Sequence, residues 1–261
     1  MVIYIFFWKV IIMGKKFPVK LKKEPLIEAI WEIRFSSAQS SVADLLPGML
    51  FKWFSSKYKK TSKLPIADIP APVVEHDPNL RYVPKIRFEG ANQTIQIGDR
   101  VVSLSCRRPY SGWARFSADI RELATAVQET GLIERLERFS LKYIDLIELE
   151  TKIGLDYLNL SLKIGEYKLD DKPVQLRAEI KESGLIHIIQ IISPAEVVLP
   201  GKEARLKGVL VDIDSIRPME DDESWNILYQ RLDEVHLSCK NMFFNILKPE
   251  TIEALDPEYE G

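Results

Sequence analysis

One order of elements recurs along this chain, and it limits the fold more than any single motif does. From Glu28 to Phe35 the residue types alternate. Ala29, Trp31, Ile33 and Phe35 point to one face, and Glu28, Glu32 and Arg34 to the other, as in a half-buried strand. A helix is expected from Val42 to about Tyr58, capped by Ser40 or Ser41, with Leu45, Leu46, Met49, Trp53 and Phe54 on its apolar stripe and Pro47 in its first turns. Three strands follow, Lys85–Glu89, Thr94–Gly98 and Arg100–Arg107. A helix then runs from about Ser117 to Thr130, closed by Gly131 in the left-handed conformation. The order returns from Arg138: a strand to Glu150, a short helix around Leu155–Ile164, strands Val174–Lys181, Leu185–Ile192 and Lys207–Ile216, and a long amphipathic helix containing Trp225–Leu247.

This pattern predicts an α+β fold of mostly antiparallel sheet backed by helices, organised as two repeated halves of strand, helix, three strands, helix. Duplication and chance alternation both produce such an order. The expected halves are 22–131 and 132–248, packed as one globular unit. The Lys63–Pro84 stretch holds Pro65, Pro70, Pro72, Pro78 and Pro84, which predicts a long ordered loop or extended segment, the most irregular part of the chain. Residues 1–12 stand apart. Their apolar run is broken by Lys9 and is shorter than the about 20 residues a membrane helix needs. It also lacks the basic start and small-residue cleavage site of a signal peptide. The expectation is an extra segment with the start at Met13, making few packed contacts, and a chain that is cytoplasmic with no membrane span.

The charge balance excludes little but weighs against one class. With 36 basic and 38 acidic residues the net charge is −2, whereas a sequence-independent nucleic-acid binder needs a basic excess to neutralise phosphates. Cys106 and Cys239 have no CxxC or metal-ligand spacing, so two buried free thiols are expected rather than a disulfide. There is no GxxxxGK[ST] or GxGxxG phosphate cradle, and no cofactor is expected.

Three constellations carry candidate chemistry. Asp212 and Asp214 lie two apart on one strand, so both carboxylates share a face and could hold Mg²⁺, while Val209, Val211 and Ile213 form a core-like opposite face. Arg107, Arg108, Tyr110 and Trp113 form a loop suited to an anion, a stacked base or a protein partner; the alternative is a turn whose aromatics plug the core and whose arginines pair with acids. His236 and Cys239 fall on the apolar stripe of the last helix, where a lone histidine is more often a hydrogen-bonded core residue than a catalyst. His76 and His187 have no ligand spacing. The Lys57–Lys63 run is expected to be a solvated helix end, and Ser224 a cap for the last helix, preceded by the acids Glu220–Glu223.

Five phrases together resemble one family: PLIEAIWEIRF (Pro25–Phe35), RPYSGWARF (Arg108–Phe116), LKYIDLIE (Leu141–Glu148), VLVDIDSI (Val209–Ile216) and LDEVHLSCKNMFFNIL (Leu232–Leu247). The chain is similar to a sporadically distributed family of uncharacterised bacterial and archaeal proteins with a Pro-Ile-Glu-Ala opening, a Tyr-Gly-Trp-like loop, a Leu-Asp-Ile-Asp strand and a Leu-His helix. It departs from that pattern at Lys142, where arginine is usual, at Asp145, where asparagine is usual, and at Ser111, which interrupts the Tyr-Gly-Trp phrase. The resemblance covers the chain from about Lys22 onward. It implies a mobile accessory gene of the defence or toxin–antitoxin kind, and no established activity.

The sequence therefore points to a non-enzymatic module that binds a protein partner or itself. Two alternatives stay open: a metal-dependent nucleotide or phosphoryl-group enzyme using Asp212 and Asp214, and a nucleic-acid binder using the Arg107–Trp113 loop.

Overall fold

The structure is a computed structural model that describes residues 17–69, 73–74, 77–78, 80–148, 154–199 and 205–259. The expectations for residues 1–12 and for His76 lie outside those residues. The described strands are β1 (Lys20–Leu21), β2 (Leu26–Ser36), β3 (Lys60–Lys63), β4 (Ile86–Glu89), β5 (Gln93–Ile97), β6 (Val101–Arg107), β7 (Arg135–Ile147), β8 (Lys163–Ile164), β9 (Tyr167–Lys168), β10 (Val174–Glu182), β11 (Leu185–Val198), β12 (Arg205–Pro218) and β13 (Pro257–Glu258). The described helices are α1 (Val42–Phe54), α2 (Trp113–Glu129), α3 (Trp225–Ile246) and α4 (Pro249–Ala254).

Nine strands form one sheet in the order β10-β11-β12-β7-β2-β6-β5-β4-β3, and each neighbouring pair is antiparallel. The fold is thus α+β, as the alternation of strand and helix patterns predicts. The first strands of the two expected halves, β2 and β7, pair at the centre. Moving outward from them the order is β6, β5, β4 and β3 on one side and β12, β11 and β10 on the other.

The helices α1, α2 and α3 lie on one face because the apolar side of each strand points there. Trp31, Ile33 and Phe35 of β2, Leu104 of β6, Phe139 and Leu141 of β7, and Ile95 and Ile97 of β5 are completely buried with α1, α2 and the first half of α3 in one cluster. A second cluster joins Val209, Val211 and Ile213 of β12 and Ile189 and Ile191 of β11 to Cys239, Phe243 and Phe244 of α3. Each such side chain contributes about 1.5–3 kcal/mol by leaving water.

Several local expectations are corrected. The N-terminus of α1 is capped from outside its own segment. Ser41 makes no side-chain cap bond; Asp99, in the β5–β6 turn, accepts the Ala43 N–H at 3.0 Å and is held by Lys85 at 2.5 Å. Ser224 likewise makes no side-chain cap bond, and the nearby Glu223 instead binds Arg217 and the Glu220 N–H. The Lys60–Lys63 end of the basic run is the edge strand β3, not a helix end. No α-helix forms at Leu155–Ile164. A single 3-10 turn (Leu155–Tyr157) and the hairpin β8–β9 stand there, because the Asn159 N–H goes to the Ile246 carbonyl at the end of α3 instead of to its own segment. Gly131 does close α2, with φ of 66°.

Candidate binding site on the uncovered face of the sheet

Strand alternation sends every second side chain to the face opposite the helices. Register then lines these side chains into rows that cross the sheet. One row is Ser105, Ile30, Lys142, Asp214 and Ile188. The next is Arg107, Glu28, Ile144, Asp212 and Gln190. Ile30, Ile144, Ile186, Ile188, Ile192 and Leu210 are only half-buried, and neither hydrophobic cluster includes them. At one end of the face Tyr82 lies beneath Arg34, whose guanidinium carbon is 4.3 Å from the ring centre, and its hydroxyl donates to Glu137 at 2.6 Å.

The two aspartates singled out in the sequence do share this face. Asp212 pairs with Lys142 at 3.5 Å and accepts from Gln190 at 3.3 Å. One carboxylate oxygen of each aspartate is shielded from solvent and makes no hydrogen bond among the described residues. Burial raises both carboxyl pKa values. Lys142 opposes that shift at Asp212, and Lys142 with Arg138 opposes it at Asp214. Arg138 itself holds Glu32 at 2.8 Å. The pair is therefore compensated by fixed cations, and among the described residues no group of three or more His, Cys, Asp or Glu is placed to hold a metal ion.

The Arg107–Trp113 loop is divided by the fold and does not present one surface. Arg107 points to the uncovered face, half-buried. Arg108 is a clamp: its Nε donates to the Leu26 carbonyl at 3.0 Å, another guanidinium N–H meets the Glu24 carbonyl, and Nη1 pairs with Glu148 at 3.3 Å. Tyr110 turns toward the helices, edge-on to Phe116 and Tyr143. Trp113 stacks on His236 with ring centres 3.9 Å apart, and its indole N–H donates to Asp233 at 2.8 Å.

This stack is where the loop meets the last helix, a contact that spacing along the chain does not reveal. His236 Nδ1 lies 2.9 Å from the Tyr143 hydroxyl. Burial first, then Lys240, lower the His236 pKa to about 4, while Asp233 opposes them. Burial pushes the Tyr143 and Tyr110 phenols up. Beside them Asp145, 5% exposed, is pushed up to about 8 by burial and then by Glu24 and Asp212, with Arg108 opposing. Cys106 and Cys239 are buried free thiols, and burial raises the Cys239 pKa. His187 is also enclosed, with Nδ1 2.8 Å from Ser215 Oγ.

Sequence reasoning missed the other feature of this face, an arm formed by the outer ends of β11 and β12. The register slips between Ile192 and Ala195, a bulge that bends the hairpin. At the root of the arm a Cβ on Gly208 would come within 2.2 Å of the Ile147 carbonyl oxygen, so only glycine lets the two backbones pass this closely. Val197, Val198 and Leu199 then form the wall of a cavity of about 850 Å³ whose floor includes Glu28, Arg87, Glu89 and Arg107. No protein-family model matches this chain, and no curated protein matches it.

Proposed function

We propose that this chain is a binding protein that seats an extended segment of a partner protein on the uncovered face of its sheet. The observation that carries this reading is strand β11. Ile189 and Ile191 pack under α3, yet Ile186, Ile188 and Ile192 put equally apolar side chains on the other face, where they stay half-buried and join neither hydrophobic cluster. Strands with apolar residues on both faces belong to sheets covered on both sides, so a covering layer supplied by a partner completes the pattern. The charges suit a polypeptide. The basic Arg34, Arg107, Arg138 and Lys142 alternate with the acidic Glu28, Glu32, Asp212 and Asp214, which offers partners to backbone and side chains of either sign but no continuous field for a polyanion.

Photo-crosslinking in cells tests this. A benzoylphenylalanine at position 30 or 188 is expected to yield a discrete protein adduct that Ile144→Ser, half-buried in the adjoining row of the same face, weakens. The same group at the exposed Leu237 of α3 should yield none. Absence of adducts at 30 and 188, or adducts at 237 alone, overturns the reading.

A further inference from the structure

Among the described residues, Arg107 presents a guanidinium with no partner. Its backbone N–H is bonded to the Asn92 carbonyl, but its side chain makes no hydrogen bond or ion pair among the described residues, although Glu28 sits directly across from it in register. Its neighbour Arg108 is saturated with carbonyl and carboxylate partners. Within the same cavity the Nε of Arg87 is shielded from solvent with no acceptor, while its Nη1 reaches Glu89 only at 3.6 Å. A shielded guanidinium N–H left unsatisfied costs folding free energy, and planar guanidinium donors match a carboxylate in bidentate fashion. The opposite wall of the cavity is apolar. Leu199 is nearly enclosed, while Val198 is 59% exposed and belongs to no core.

We infer that the cavity beneath the arm binds a carboxylate carried on an apolar body, with Arg107 and Arg87 receiving the anion and Val197, Val198 and Leu199 packing on the body. This rests on the reading of the uncovered face as a binding surface and names what its polar end recognises. The charge count favours a single negative charge. Glu28 and Glu89 line the same space as Arg87, Arg107 and the already paired Arg108, a surplus of one positive charge, so a dianionic phosphate would exceed it and meet two carboxylates. The 850 Å³ volume fits a group of a few residues or a small organic acid. The carboxylate has two sources, the C-terminus of a partner polypeptide or a free organic acid.

Three probes separate them on the full chain, followed by titration calorimetry and by amide NMR shifts of Arg107 and Val198: acetyl-Leu-Val-Phe with a free C-terminus, the same peptide amidated, and 4-phenylbutyrate. Binding of the free-carboxylate peptide at least tenfold tighter than its amide is expected. A comparable affinity for 4-phenylbutyrate assigns the site to free acids, and a much weaker one assigns it to polypeptide C-termini. Arg107→Met should cost about tenfold or more with the melting temperature unchanged, since this side chain makes no hydrogen bond or ion pair among the described residues. Val198→Asp, at an exposed position, should weaken binding by a similar factor through repulsion. Equal binding of peptide and amide, or no shift from either carboxylate at 10 mM, overturns the inference. Crosslinks at position 188 surviving that result would leave the partner-binding face standing and remove only the carboxylate pocket.

Discussion

Asp145 offers the most discriminating test of how the interior is organised. It sits on the helix side of β7, almost fully buried, and burial holds its pKa near 8 against an ordinary 3.8. The folded protein therefore keeps this proton in a pH range where the unfolded chain has already released it. An acid with a raised folded pKa leaves stability untouched below pH 3.8. It then removes about 1.4 kcal/mol per pH unit until the folded carboxyl itself titrates near pH 8. The accumulated cost is on the order of 4 kcal/mol at pH 7. Asp145→Asn supplies a neutral amide of the same shape and should recover most of that loss. Urea denaturation of both proteins from pH 4 to pH 8 reads the effect. The difference between them is expected to be small at pH 4 and to grow steadily toward pH 8, with a melting temperature for the variant roughly 10 °C higher at pH 7. Asp214 titrates in both proteins and largely cancels from the difference, whereas Glu24 and Asp212 push Asp145 up and are read together with it. A difference independent of pH, or a variant less stable at pH 7, would refute the claim that Asp145 is folded as the acid.

His236 gives the opposite slope: with its folded pKa lowered to about 4 from 6.5, the unfolded chain binds the extra proton in that window. Its contribution is complete above pH 6.5 and lost toward pH 4, up to roughly 3 kcal/mol, and His236→Leu should remove that acid sensitivity in the same urea series. Gly208→Ala should cost about 1–3 kcal/mol, because the new methyl meets backbone rather than a movable side chain; a urea midpoint equal to the parent's would show that the arm is not packed against Ile147.

What could be read from the sequence was whatever depends on side-chain period. The alternation over Ala29–Phe35 gives β2 and its buried face, and the glycine after Thr130 gives the end of α2. The segment Leu155–Ile164 misled because leucines at Leu155 and Leu158 imitate helical spacing. Those leucines are buried, but the backbone there bonds to the end of α3, and periodicity carries no information about a distant acceptor. The capping of α1 by Asp99 and the stack of Trp113 on His236 escape for the same reason, since each joins residues more than fifty positions apart. The arginine pair failed differently. Arg107 and Arg108 are adjacent and chemically alike, yet the strand pleat sends one to the open face and the other into a nest of carbonyl groups.

The pattern of β11 was legible in letters but not in meaning. LIHIIQII (Leu185–Ile192) is apolar on both faces, and in this fold only the Ile189 and Ile191 side joins a hydrophobic cluster. Evolution of an isolated sheet would place polar residues outward, because each half-exposed isoleucine forfeits part of its burial and invites association through the open face. Neighbouring strands show that restraint: β6 carries Ser103 and Ser105 outward, and β10 carries Arg177, Glu179 and Lys181. The isoleucines are thus confined to the middle of the face, between Tyr82 at one end and the arm at the other, where a segment laid across the strands would cover them and bring its end toward Arg107. If that geometry governs binding, Ile188→Ser should weaken the partner's crosslink at position 30 while leaving carboxylate binding beneath the arm intact. Loss of both together would mean that the face and the cavity act as one inseparable site.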